Sequence, residues 1–476
     1  MKKYKYTSLV IAMAVLLITG SCKKTLDINK SPNAPVDVPI DVLYTTSAVN
    51  IGFMGGADQN KFSLLIMQQY GGQTTGGQTQ TQAWEQYLIL PSDISNSWGA
   101  FYTTTLINLS LVIQKAAATS PHYSGVAKLL TAYTYGIMVD TWGKIPYSEA
   151  LKTTAVPQPH YDDDKTIYAS LLTMIDDGIA DINKPTSTFD PIAASPIYPG
   201  DFATTKAQWI KFGNTLKLRL LLHTVKVDAS AAGKIDALIA SGNFFASNDD
   251  NFVGAFFNTA GAQNPIYQFD QNRAGYIVAN NTIVSIMNST NDPRRVTYFT
   301  QFPAGSGKYV GSVGGSDPSE NYSTLGTYLE GTDGSAPIRM LTFAEYNFIR
   351  AEAALKYGGA GNAQSFFQAG ITASMKDAGV ADVDIATYIT AHGTLTGSAD
   401  AQLKSIITEK YIANFGVTTE PWTDFRRTGY PAITPPSNAV EPAVPRSLFY
   451  PQSEIDVNPN AKQKANQQVK VFWDAQ

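Results

Sequence analysis

The sequence predicts a mostly α fold: a tetratricopeptide-like scaffold of helix pairs with long irregular loops and a few short strands. Three observations predict it. Apolar residues recur at helical spacing along several separate stretches, and these stretches fall in neighbouring pairs. One long region, about residues 243–338, breaks the pattern with Gly, Asn, Ser and Thr.

The chain opens on Lys2, Lys3 and Lys5, followed by an apolar run from Leu9 to Ile18. About ten apolar residues are too few for a lasting bilayer span and read as a secretory signal. Leu17-Ile18-Thr19-Gly20-Ser21-Cys22 then places small residues before the chain's single cysteine, as a lipobox does. Residues 1–21 are expected to be removed as a lipoprotein signal peptide. The Cys22 thiol is expected to carry a diacylglycerol, and the new amino terminus a third acyl chain. Each buried methylene adds roughly 0.8 kcal/mol of membrane affinity, so several chains anchor stably. With no other thiol, an internal disulfide is excluded, and size must stabilise the remaining 455 residues.

Residues 22–41, with Pro32, Pro35 and Pro39, read as a tether into a single domain over 42–476. No later run reaches about 18 consecutive apolar residues, so the body is expected to be soluble and held by its first residue. After the signal there are 32 basic and 39 acidic residues, an excess that argues against nucleic acid, which requires a basic patch.

Gly71 to Gln82 is polar and low in complexity, a loop rich in hydrogen-bonding side chains. Trp98, Tyr102, Leu106 and Leu109 then share one face of a helix of about twenty residues. Val126, Leu130, Tyr133 and Ile137 mark the next helix. Ile167, Leu171, Ile175, Ile179 and Ile182 form a further stripe, and Trp209, Phe212, Leu216 and Leu220 another. Leu341, Ala344, Phe348 and Ala351, then Leu403, Ile407, Tyr411 and Phe415, repeat the pattern after the irregular insertion. Asp162-Asp163-Asp164 precede the Ile167 stripe and suit a helix's positive end. The proline-rich tail from 431 ends in Val469, Val471, Phe472 and Trp473, which predicts that it wraps back onto the body.

Catalytic signals are sparse. His122, His160, His223 and His392 show no metal-ligand spacing, and His223, in an apolar helix, reads as packed. Gly305-Ser306-Gly307-Lys308-Tyr309 lacks phosphate-loop spacing, and no G-x-S-x-G elbow occurs. Glu345 and Glu352 are seven apart and share a helix face. They read as buried acids answered by fork-shaped donors, with Arg426 or Arg427 as candidates. No enzyme activity, cofactor or metal is expected.

Asp140-Thr141-Trp142-Gly143-Lys144-Ile145-Pro146-Tyr147-Ser148-Glu149-Ala150 resembles a segment of the SusD/RagB family of outer-membrane lipoproteins, in the branch with the W-G-x-x-P-Y-S-E-A signature. So do Lys211 to Arg219, Asp292-Pro293-Arg294, Ala344 to Ala353, Glu420 to Gly429 and Pro445 to Pro451, in order along nearly the whole chain. The resemblance implies four tetratricopeptide-like helix pairs and a place on the outer membrane facing the exterior. It implies a partner, a SusC-like TonB-dependent transporter over which the lipoprotein sits as a hinged lid. It also implies Bacteroidetes-type uptake of a glycan, or of a peptide in the RagB manner. A lipid-anchored glycan hydrolase is the rival from another class.

Trp142, Gly143, Pro146 and Tyr147 read as scaffold, marking a helix end and a sharp turn. No ligand residue transfers from the family. Candidates follow from chemistry: flat aromatics suit a sugar's apolar face, and amides suit its hydroxyls. Gln78, Gln80, Gln82, Trp84 and Tyr87 lie in or after the polar loop. Tyr276, Tyr309 and Tyr322 lie in the irregular region.

Overall fold

The computed structural model describes residues 37–73, 79–316 and 319–476, so Cys22, most of the tether and Gln78 lie outside the described residues. The chain starts with helices α1 (Ile40–Met54) and α2 (Asp58–Ile66), strand β1 (Tyr70–Gly72) and the short helix α3 (Gln80–Glu85). Next comes α4, in which Ser95–Gly99, a π-helical stretch Ala100–Leu106 and Ile107–Ala116 run on without a break. Helices α5 (Pro121–Trp142), α6 (Asp164–Ile182), α7 (Phe202–Thr224) and α8 (Ala231–Ser241) follow, and each packs on its predecessor. This is the stacking that helix-hairpin repeats require, since no single pair can cover its own apolar face.

The α5–α6 crossing is close because glycine meets glycine. A Cβ on Gly125 would stand 2.5 Å from the Gly178 carbonyl oxygen, too close for any other residue. The predicted stripes point inward here: Val126, Leu130, Ile167, Leu171 and Ile175 are wholly buried. Helix α5 stops at Gly143, whose φ of 73° and ψ of −116° favour glycine, while Trp142 donates its indole N–H to the Phe449 carbonyl at 3.0 Å. Of the three consecutive aspartates, only Asp164 lies in the first turn of α6. Asp162 instead accepts the Tyr147 and Ser148 amides at 2.9 and 2.8 Å and pins the turn after Pro146.

The region 243–338 is less irregular than its composition suggests. It holds β2 (Phe252–Gly254), α9 (Pro265–Asn272), β3 (Ile277–Ala279), α10 (Asn281–Ser289) and the single turns α11 (Arg295–Tyr298) and α12 (Thr327–Glu330). Strand β3 pairs antiparallel with β1, and β2 pairs antiparallel with β4 (Ile338–Leu341). Strands of three or four residues are too short to show alternation, which is why the pattern reads as loop. A second helical group completes the body: α13 (Phe343–Lys356), α14 (Ala363–Asp377), α15 (Asp382–His392), α16 (Ala399–Ala413), α17 (Glu420–Thr428) and α18 (Gln452–Val457). It joins the first group where α13 meets α7.

That junction holds buried ions. Glu352 takes both arms of Arg427, at 2.9 and 3.0 Å. Glu345 pairs with neither tandem arginine; Arg219 of α7 grips it at 2.7 and 2.6 Å. The sequence could not reveal this pair, which lies 126 positions apart. Arg426 instead donates to the Asp140 and Arg446 carbonyls and lies between the rings of Trp422 and Trp473, 3.9 and 4.7 Å from their centroids. His223 is packed inside, with Nδ1 3.0 Å from the Tyr168 hydroxyl and Nε2 3.3 Å from Glu420. The tail does return to the body: Trp473 is fully buried and donates to Asp140 at 2.9 Å.

Candidate functional site

A cleft of about 470 Å³ opens between the end of α1, the start of α2, the first turns of α4, and α9. Helix α9 is held there by Asn264, a wholly buried residue. Its side-chain oxygen caps the helix by accepting the Ile266 amide at 2.8 Å, and its amide group donates to the Leu329 and Ala336 carbonyls. Pro265 at the first helical position needs no donor partner. So fixed, α9 turns Gln268, Phe269 and Asn272 toward the cleft, with Arg273 at its end.

The opposite wall is α1 and α2. Phe53 is 42% exposed at the rim and offers part of its ring to the opening. Below it lies Lys61, whose side chain is only 5% exposed. The Lys61 ammonium is 3.5 Å from Asp58 Oδ1 and 4.5 Å from the centre of the Phe269 ring. Burial pulls its pKa below the ordinary lysine value, Asp58 opposes that, and nearby Arg273 adds to the fall. Arg273 covers Phe269 at 5.2 Å. From α4 come exposed Asn96 and the Ser97 hydroxyl, which is buried without a hydrogen-bond partner. Asn50 also lines the cleft, but its N–H₂ is committed to the Ala100 carbonyl at 3.2 Å and to Thr105 Oγ1 at 2.6 Å.

A second cleft, about 640 Å³, lies on the other side of α4. Its lining includes Trp98, Tyr102, Pro146, Pro157, Pro159 and Val457, with Glu454 as its one charged group. The second cleft is larger and has two rings and an amide, Asn458, but no cation. The first combines rings, amides, charges and an unpartnered hydroxyl, which is the mixture a specific ligand needs.

The residues proposed from sequence are dispersed. Trp84 and Tyr87 are interior, 1% and 0% exposed, so neither ring has a free face; Trp84 packs edge-on against Phe62 and donates to Asp93 at 3.1 Å. Both fill the core because the polar stretch ends at α3 rather than continuing as open loop. Gln82 is buried as the far member of a capping box, accepting the Thr79 amide at 2.9 Å. Gln80 is exposed at the start of α3. Tyr309 is buried under Arg295, and Tyr322 is half-buried with its hydroxyl 3.4 Å from Ser316. Only Tyr276 adjoins the first cleft: half-buried, it meets Phe269 edge-on at 6.4 Å, and its carbonyl accepts the Thr81 hydroxyl. Trp142 and Pro146 are buried, and the Pro146 carbonyl accepts the Tyr102 hydroxyl at 2.6 Å.

Sequence reasoning missed Phe53, Lys61, Asn96, Ser97, Phe269 and Arg273. The one available signal was Gly52-Phe53-Met54-Gly55-Gly56, an aromatic at a helix end beside small residues. Among the described residues, no group of three or more His, Cys, Asp or Glu side chains could hold a metal ion, and no helix is long and apolar enough to cross a membrane.

Comparison with known proteins gives a consistent picture. Residues 40–451 match the SusD-like family model described as "Starch-binding associating with outer membrane". A chitin-binding SusD homolog from Flavobacterium johnsoniae is 23% identical, covers 92% of this chain and 98% of its own, and superposes with a TM-score of 0.79. A SusD-like protein from Bacteroides thetaiotaomicron is 24% identical over 92% of this chain and 99% of its own, with a TM-score of 0.78. A SusD homolog from Bacteroides fragilis is 22% identical over 88% and 94%, with a TM-score of 0.73. No curated protein matches.

Proposed function

The chain belongs to the SusD-like family, and from that premise we propose that it captures a glycan at the outer membrane and presents it to a TonB-dependent transporter of the SusC type. The cleft between α1, α2, α4 and α9 is the capture site in this reading. The observation that carries it is the pairing of exposed Phe53 with Asn96, Gln268, Asn272 and the unpartnered Ser97 hydroxyl around one opening. A pyranose presents an apolar face to a ring and hydroxyls to amides, and both are available there. The family description, starch-binding, and the chitin-binding relative support a saccharide.

In this reading Cys22 carries the lipid anchor. The tether confines the protein near its barrel and so raises its effective concentration there. A ligand enclosed between lid and barrel gains contacts from both sides, so affinity should rise when the barrel is present. The protein binds and releases without breaking a bond.

Calorimetry of the purified protein against starch and chitin oligosaccharides tests the reading. Phe53→Ala should weaken binding at least fivefold and lower the melting temperature by only a few degrees, because the residue is 42% exposed. Unchanged affinity in that variant would remove the cleft from consideration. Release of reducing ends from any of these glycans would favour the hydrolase instead. Mass spectrometry of the amino-terminal peptide should find an acylated Cys22; a free thiol there would rule out the anchor.

A further inference from the structure

We propose that the glycan taken by this cleft is acidic, with a uronate carboxylate seated against Lys61 and Arg273. The inference rests on the cleft being the glycan site and adds the chemical class of its ligand.

The other buried cations of this protein are answered at close range. Arg219, Arg294, Lys410 and Arg427 each meet a carboxylate oxygen at 2.6, 2.5, 2.7 and 2.9 Å respectively, while buried Arg426 and Arg350 donate to carbonyl oxygens at 2.6 and 2.5 Å instead. Lys61 is as buried as they are, yet its nearest carboxylate oxygen is 3.5 Å away and belongs to Asp58, whose side chain is 35% exposed. An ammonium carries three donors. Among the described residues this one has a single long ionic contact and a ring face. A buried cation so poorly answered is costly unless something completes it.

What could complete it is indicated by the rest of the wall. Arg273 has no carboxylate partner among the described residues; its side chain rests on Phe269. The charged groups lining the cleft are therefore two cations and one carboxylate, in a chain whose formal net charge is −4. Two like charges converging on one ring, with the unpartnered Ser97 hydroxyl on the adjoining α4 wall, form a receptor for an anion. A phosphate or sulfate would leave the aromatic face unused. A uronate uses both features, because its carboxylate projects from a ring whose face is apolar.

The test is calorimetry of the purified protein with oligogalacturonate, oligomannuronate and glucuronate-bearing xylan fragments, each beside its carboxyl-reduced form. At low salt at least one acidic oligomer should bind tenfold or more tightly than its reduced counterpart, and the gap should narrow as salt screens the contact. Lys61→Gln and Arg273→Gln should each abolish most of that preference, weakening the acidic oligomer by a larger factor than its reduced form. Arg273 is exposed, so its variant carries the test even if Lys61→Gln folds poorly. If every reduced form binds as well as its acid, or if Arg273→Gln leaves the preference intact, the inference is overturned. Binding of neutral starch or chitin oligomers alone would overturn it while the capture reading stands. Binding of peptides with a free carboxyl terminus, and of no glycan, would overturn both.

Discussion

Replacing Glu85 with glutamine should stabilise the protein at alkaline pH and leave it unchanged in acid. Glu85 closes α3 and is 2% exposed. Burial raises its pKa from 4.5 to about 7, against the pull of the Gly72 backbone amide and the Asn280 side chain, which donates at 3.1 Å. A folded-state pKa above the unfolded one means the folded protein binds the proton more tightly. The resulting stability is fully present below pH 4.5 and is lost as pH rises through about 7. At about 1.36 kcal/mol per pH unit, the loss is roughly 3 kcal/mol once the folded group has ionised. Glutamine keeps the acceptor for Asn280 and cannot ionise. Urea denaturation at pH 4.5, 6, 7 and 8.5 should therefore show the two proteins alike at the acid end. The variant should lead by about 2–3 kcal/mol at pH 8.5. A difference independent of pH, or a variant weaker at pH 8.5, would refute the assignment of the penalty to a buried carboxylate.

Three further outcomes follow from the interior. Arg427→Met should cost about 3–5 kcal/mol by leaving Glu352 buried without its partner, while Asp424 keeps Lys410, and Arg427→Met with Glu352→Leu should recover part of it; a double-mutant cycle in urea measures the coupling. Trp473→Ala should cost about 3–5 kcal/mol, because it empties a fully buried site and uncovers Arg426 and Asp140; the fall in midpoint should be accompanied by proteolysis near the carboxyl terminus. Gly143→Ala should cost at least 1–2 kcal/mol, since φ is 73° and its Cβ would meet Asp164 at 3.3 Å; a loss within experimental error would mean the turn can relax.

The helices were legible in the sequence because burying one face leaves a period of 3.6, and long helices such as α5, α6 and α7 repeat it enough times to read. Strands of three residues repeat nothing, so β1 to β4 left no mark. The buried acids on α13 were legible as a pair needing arginines, but which arginine answered Glu345 depended on how α7 packs, and that is set by contacts between distant elements. The ligand candidates failed for a related reason. Trp84 and Tyr87 were chosen because they follow a polar stretch, yet a six-residue helix, closed by its own capping box, turns them inward. Conversely, Lys61 and Phe269 are ordinary residues in sequence; only the meeting of α2 with α9 gives them a shared surface.

Helix α4, with its π-helical stretch, contributes to both clefts. Asn96, Ser97 and Ala100 line the first cleft, while Trp98, Gly99, Tyr102 and Thr103 line the second. Its later part, Ile107–Ala116, is fixed by packing on α5 and α1. Drawing α4 as a regular α-helix would take up the residue that the widened turn accommodates. It would rotate Ser95–Gly99 by about 100° relative to that fixed part, since 3.6 residues make a turn. Ser97 and Asn96 would then swing out of the first cleft, and Trp98 would leave its edge-on contact with Trp142. Two side chains also donate to the Ala100 carbonyl in the widened turn: Asn50 at 3.2 Å and Thr105 at 3.2 Å, themselves joined at 2.6 Å. Asn50 thus spends its amide N–H groups on the α4 backbone and on Thr105 rather than on a ligand.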